Sequence, residues 1–385
     1  MDLSINLYNL FIIILIFVDY AKNISAFIGY FAVLKAQYLK VIIYSEAFLP
    51  RFRIILHLFY KSNEEDVIVM DMLNTLKGSY FSEILPQGWD IAKIKSCVSN
   101  APESVFDRQS FWHEGFSPVK CTNLEEFGAY MGHEIAMQIK LTKEEGRKLI
   151  LILPVGPMGM YKWAVYFLKE WNVDCKHVYG FNMDEWADAE GNTLPAADPA
   201  AFQNAMTEAF YGPLGELTVP VRQRNFATKD NLPTYPEKIR ALKAEGAKQV
   251  LVYGIGRMCH IAFWEPHFAA DYAAYEDWMA AEYRIGARLH PFTIEQNAIT
   301  SFRSSWPLIP CYANTIGPWI IFGSDYAIGG ADGVLSRGMQ WQGMSFWMTL
   351  RYGPCQYVTS SNIPTMPGKL FFMEELAGPL CPDTN

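Results

Sequence analysis

The chain has 385 residues, 51% of them hydrophobic and 19% charged, with a formal net charge of −8 and a pI of about 5.5. That apolar share is enough for one large core or two ordinary ones and excludes general disorder. The acidic balance, with no basic stripe, excludes an electrostatic footprint for nucleic acid.

Residues 1–60 differ from the rest: they hold one of the 27 glycines, one of the 22 prolines and none of the 11 tryptophans. Their uninterrupted apolar run ends at Asp19, short of the ~20 residues that span a bilayer. Asp2 is the only charge before it, so the basic region of a secretory signal is missing too. A membrane anchor, a targeting segment and translated sequence upstream of a start near Met70 or Met72 all compete. The composition switches where those methionines lie, which favours the last. Residues 1–69 are therefore expected to stand apart from the fold, with no membrane partner. The seven scattered cysteines, never spaced C-x-x-C, suit a reducing cytoplasm better than a disulfide framework.

Residues 70–118 read as a helical N-terminal extension of short helices and connectors, ahead of an α/β domain over 119–385. Thr122-Asn123-Leu124-Glu125 reads as a capping box. The helix it opens is expected to run to about Lys140, with Leu124, Phe127, Met131 and Ile135 on one face. Three β-rich runs follow: Lys148–Leu153, His177–Phe181 and Gln249–Tyr253. Helices are expected after Pro157, near Ala200–Tyr211 and over Pro236–Ala244. This alternation predicts an α/β fold with a doubly wound, mostly parallel sheet and helices on both faces, Rossmann-like in layout. Ligands of such sheets sit at the carboxyl ends of the strands. The candidate loops are thus those beginning at Pro154, Asn182 and Gly254.

The second loop reads Phe181-Asn182-Met183-Asp184-Glu185-Trp186, and the third runs from Gly254 through His260 to Glu265-Pro266. Read alone, paired acids after a strand are commonly a helix start, and a histidine after a glycine turn is commonly structural. Together, in order and with compatible spacing, the two segments resemble the signature loops of the glucosamine-6-phosphate deaminase/isomerase family, F-N-M-D-E-Y and G-x-G-x-D-G-H-I-A-F-N-E-P. The match spans roughly Val119 to Arg337 and includes Pro157 to Lys162. The resemblance implies an enzyme that acts on an aminosugar phosphate without cofactor or metal, opening the ring and moving a proton between C2 and C1. Asp184 would be the base that moves it. His260 would pass a proton to the ring oxygen, with Glu265 orienting the imidazole and Glu185 bracing the loop.

The departures from that pattern are specific. Met258 stands where the family has a second acid, Cys259 where it has glycine, and Trp264 where it has asparagine. The phosphate loop, T-G-G-T-P in the family, is Pro154-Val155-Gly156-Pro157-Met158-Gly159, with fewer backbone donors. Gly156 and Gly159 remain candidates for substrate binding. Asn297-Ala298-Ile299 stands where an arginine is expected, leaving Arg303 and Arg337 as substitutes. No H-E-x-x-H, G-x-G-x-x-G or Walker spacing calls for a metal or nucleotide. A 6-phosphogluconolactonase-like hydrolase and a non-catalytic sugar-phosphate sensor are the rival readings. The sequence leaves the oligomeric state open, a homo-oligomer included.

Overall fold

The computed structural model of the chain describes residues 72–335 and 339–378. The expectation for residues 1–69 lies outside the described residues. The chain divides into Met1–Lys77, described only from the short turn Met72–Thr75, and Gly78–Asn385, which holds everything that follows. Among the described residues no helix is long and apolar enough to cross a membrane.

Seven parallel strands form the main sheet in the order β1-β10-β9-β6-β2-β3-β5. They are β1 (Phe116–Cys121), β2 (Leu149–Leu153), β3 (Val178–Asn182), β5 (Arg224–Asn225), β6 (Lys248–Gly254), β9 (Tyr326–Ala331) and β10 (Gly368–Met373). The longer helices are α1 (Ile91–Val98), α2 (Leu124–Glu144), α3 (Gly159–Glu170), α4 (Tyr235–Ala244), α5 (Pro291–Ser301) and α6 (Gly343–Arg351). The doubly wound, mostly parallel sheet expected from the alternation is what the chain forms. All five residues of β2, Leu-Ile-Leu-Ile-Leu, are buried, because the strand is central and both faces of the sheet are covered there.

Several boundaries move for physical reasons. The box at the start of α2 is displaced by one residue: Asn123 Oδ1 accepts the Glu126 N–H at 2.8 Å, and Glu126 Oε2 accepts from Thr122 N and Oγ1, both at 2.7 Å. The helix continues to Glu144; Phe127, Met131 and Ile135 are buried, but Leu124 is exposed. Gly132 lets α2 press on α3, since a Cβ there would lie 2.5 Å from the Met160 carbonyl oxygen. The connector expected to end at Pro118 already contains the start of β1. Proline is tolerated there because among the described residues β1 is an edge strand, paired only with β10. The helix expected near Ala200–Tyr211 is a short α segment, Phe202–Met206, followed by one π turn.

A second, three-stranded antiparallel sheet, unforeseen in the sequence, has the order β4-β8-β7, with β4 Asp184–Ala187, β7 Tyr283–Arg288 and β8 Tyr312–Ile316. The acidic loop after β3 is therefore largely strand. Met183 is the hinge between the sheets: its N–H donates to Leu153 O at 3.0 Å, and its carbonyl accepts from Ile316 N at 2.9 Å.

Candidate active site

From β2 the chain winds one way to β3 and β5, then returns to place β6 on the other side of β2. Loops leaving β2 and β6 diverge at this switch point and open a crevice at the carboxyl end of the sheet. A cleft of about 460 Å³ lies there, lined by Pro154–Met158 after β2, by Met183 and Asp184, and by Gly254–Gly256 and His260 after β6. α5 and the end of β9 complete the wall.

Asp184 is the first residue of β4 and pairs with Thr315, so both sheets fix its backbone. Its side chain is buried but reaches the cleft. Burial first, and the neighbouring Glu185 charge second, push its carboxyl well above the usual carboxylate range. Glu185 has a different task. Its carboxylate accepts the N–H groups of Trp186 at 3.0 Å and of Phe202 and Gln203 at 2.8 Å, tying β4 to the segment starting at Phe202.

His260 sits in a tight turn in which Gly256 N–H donates to the His260 carbonyl at 3.0 Å and Cys259 N–H to Gly256 O at 2.9 Å. Only glycine fits at 256, because a Cβ there would overlap the His260 ring. The ring's Nδ1 lies 3.2 Å from Thr293 Oγ1 and 3.4 Å from Glu265 Oε2. The second contact is an ion-pair distance without hydrogen-bond alignment, and that buried oxygen has no aligned partner among the described residues. Burial is the strongest influence on Glu265 and acts upward. The adjacent His260 ring first, then the nearby Thr293 hydroxyl and the hydrogen bond from the His290 N–H, outweigh it and hold this carboxyl below its ordinary value.

Behind the pair stands a brace. His290 N–H donates to Glu265 Oε1 at 3.0 Å. The His290 ring accepts the Phe292 N–H at Nδ1, 3.1 Å, so its proton is assigned to Nε2, which meets the Ile84 carbonyl at 2.7 Å. Phe81 stacks on Phe292 with ring centroids 5.7 Å apart. The helical turn Tyr80–Ile84 thus supports the loop that carries His260 and Glu265 from outside the sheet.

The family departures acquire physical reasons. Met258 is buried, and Trp264 is buried edge-on to Phe268. Cys259 adopts φ +58°, the left-handed conformation natural to glycine. Its thiol repays that strain by packing with Ile94 and Cys97 of α1 and with Met348, Tyr352 and Val358. Burial pushes the thiol pKa far up, which makes it a packing group and no nucleophile.

The substrate-binding candidates fall in different places. Gly156 lines the cleft; Gly159 begins α3 and is outside the lining. Arg303 is exposed beyond the end of α5, also outside the lining, and Arg337 lies outside the described residues. The described lining contains no lysine or arginine, and the nearby Arg257 is engaged by Glu295. Asp332 and Gln342 line the cleft and were missed in the sequence. Gly329 and Gly330 lie in β9, where Tyr253 on one side and Phe127, Pro157 and Met131 on the other leave no room for a Cβ. Among the described residues no cluster of three or more His, Cys, Asp or Glu could hold a metal ion.

No family model matches the chain. A glucosamine-6-phosphate deaminase of Caenorhabditis elegans is 28% identical over 197 residues, covering 51% of this chain and 68% of that protein. A solved monomeric glucosamine-6-phosphate deaminase shares the fold at 19% identity with a TM-score of 0.54, over 68% of this chain and 98% of its own. A 6-phosphogluconolactonase from Shewanella baltica superposes with a TM-score of 0.44 at 13% identity, over 68% of this chain and 99% of that one. The two signature-like loops thus meet in one cleft of a chain that is similar to one glucosamine-6-phosphate deaminase in sequence over half its length and to another in fold.

Proposed function

We propose that this protein is an enzyme that isomerises and deaminates an aminosugar phosphate of the glucosamine 6-phosphate type, in the cytoplasm and without cofactor. The observation that carries the reading is that Asp184, a carboxyl kept basic by burial, and His260, backed by Glu265, face one cleft from loops on either side of the switch strand. A base for carbon needs a carboxylate that water does not stabilise, and a ring-opening group needs an oriented imidazole.

In this mechanism His260 gives a proton to the ring oxygen and takes the proton of the C1 hydroxyl as the ring C1–O bond breaks and C1 becomes a carbonyl. Asp184 takes the proton from C2, the electron pair moves into the C1–C2 bond, and the carbonyl pair moves onto O1, which His260 protonates, giving an enolamine. Return of the proton from Asp184 to C1 leaves an iminium at C2. Water adds to C2, the C–N bond breaks, and ammonia departs, leaving the ketose phosphate and returning a proton to His260. Atoms balance with one water consumed.

The test is to incubate the protein with glucosamine 6-phosphate in D₂O and follow ammonia, ketose and deuterium together. Equal release of ammonia and ketose with deuterium at C1 supports the mechanism. Hydrolysis of 6-phosphogluconolactone with no deuterium exchange into any sugar would assign the site to a lactonase instead. Binding with no turnover of either compound would assign it to a sensor.

A further inference from the structure

Asp332 follows β9 directly, where Gly330 pairs with Gly254, so it borders the cleft beside the loop that carries His260. Its own loop is pinned. Gln342 accepts the Gly333 N–H at 2.8 Å and donates to the Ile255 carbonyl at 2.5 Å, joining the β9 and β6 loops through one buried side chain.

The Asp332 carboxyl itself is left over. Among the described residues it makes no side-chain hydrogen bond or ion pair with another residue; its own backbone N–H is its only internal partner. It lines the cleft half-buried, and that burial pushes the carboxyl up to about 6. A polar group so placed is costly until a ligand supplies its partner. Asp184 is a second carboxyl in the same cleft, and neither is balanced by a lysine or arginine in the described lining. Such a pocket has negative potential and favours a ligand end that carries positive charge and N–H donors.

We infer that Asp332 receives the amino group of the substrate, so that the cleft selects an amino sugar over its hydroxyl counterpart. The inference rests on the aminosugar reading above and divides the labour of the two carboxyls. Asp184 must stay free to take a proton from carbon, and an ammonium bound to it would hold its charge in place. Asp332 supplies the counter-charge separately, through a charge-assisted hydrogen bond that a neutral hydroxyl cannot match.

The probes are 2-amino-2-deoxyglucitol 6-phosphate and glucitol 6-phosphate, which differ only in the amine at C2 and, being reduced at C1, cannot react. Each is titrated calorimetrically into wild type and Asp332→Asn at pH 7.5. Wild type should prefer the amine, and the variant should bind it about ten- to a hundredfold more weakly while binding the hydroxyl probe nearly as before. Equal losses for both probes, or an unchanged Kd for the amine, would overturn the role of Asp332 alone. Wild type that binds neither probe would overturn the aminosugar phosphate reading and this inference with it.

Discussion

His290 connects the Ile84 carbonyl to the proposed catalytic pair: its ring meets that carbonyl at 2.7 Å while its backbone N–H holds Glu265 at 3.0 Å. A segment ahead of the first strand of the sheet therefore helps set the position of the carboxylate beside His260. His290→Ala keeps the backbone bond but strands the Ile84 carbonyl and the Phe292 N–H. Each lost bond to a buried group costs about 1–3 kcal/mol, so thermal unfolding should begin several degrees lower. Activity should fall as well. A His290→Ala protein with wild-type melting temperature and turnover would show that the brace has no role.

Asp184→Asn should cut kcat by ~10²–10⁴, the usual contribution of a general base, with KM little altered. Wild-type kcat should rise with pH through the raised value of this carboxyl, so its acid limb should lie above the ordinary aspartate value of ~3.9.

The same residue makes stability depend on pH. Because burial raises its pKa, the folded state keeps a proton that the unfolded chain has already released. Its contribution is therefore intact below the ordinary aspartate range and declines as pH rises towards the folded value. Asp184→Asn removes that decline. At pH 7.5 the variant should melt at least about 2 °C above wild type, and the gap should close near pH 4. Calorimetry at the two pH values is the measurement; a gap that widens on acidification would contradict the assignment.

His260 and Glu265 act as a unit, so their losses should not add. His260→Ala and Glu265→Gln should each lower kcat by about 10²-fold or more, and the double variant should be little slower than the worse single one. Multiplicative losses in steady-state kinetics would mean that the two side chains work independently.

Cys259 should invert the usual order of small substitutions. Ala keeps the strained φ and loses the sulfur's packing, whereas Gly loses the packing but relieves a conformation that costs about 1–2 kcal/mol for a residue with a Cβ. Chemical denaturation should therefore rank Cys259→Gly at least as stable as Cys259→Ala. In the native protein iodoacetamide should modify exposed Cys311 well before Cys259.

The parallel sheet and its central strands were legible because β2 and β6 are apolar runs bounded by turns, and the signature loops marked the cleft. What escaped was what depends on tertiary fit. β9 carries two glycines, whose need is set by the Tyr253 ring beside them and not by any apolar pattern, so neither this strand nor Asp332 after it has a signal in the sequence. Asp184 to Ala187 looks like an acidic loop because its partner, β8, lies over a hundred residues later. Arg303 has the charge that a phosphate site needs, yet its backbone turns to φ +49° beyond the end of α5 and leaves it exposed.

β1, beginning at Phe116, pairs with β10, beginning at Gly368, and among the described residues with no other strand. On a ribosome the pair cannot close until almost the whole chain has emerged, whereas β2, β3 and β6, which carry the cleft, come out together much earlier. Closing so long a loop is slow, and until it happens β9 offers a free edge to other chains. Newly made protein should thus pass through a stage in which the half that carries the cleft has assembled while this side of the sheet is still open, and aggregation during expression should be most acute there.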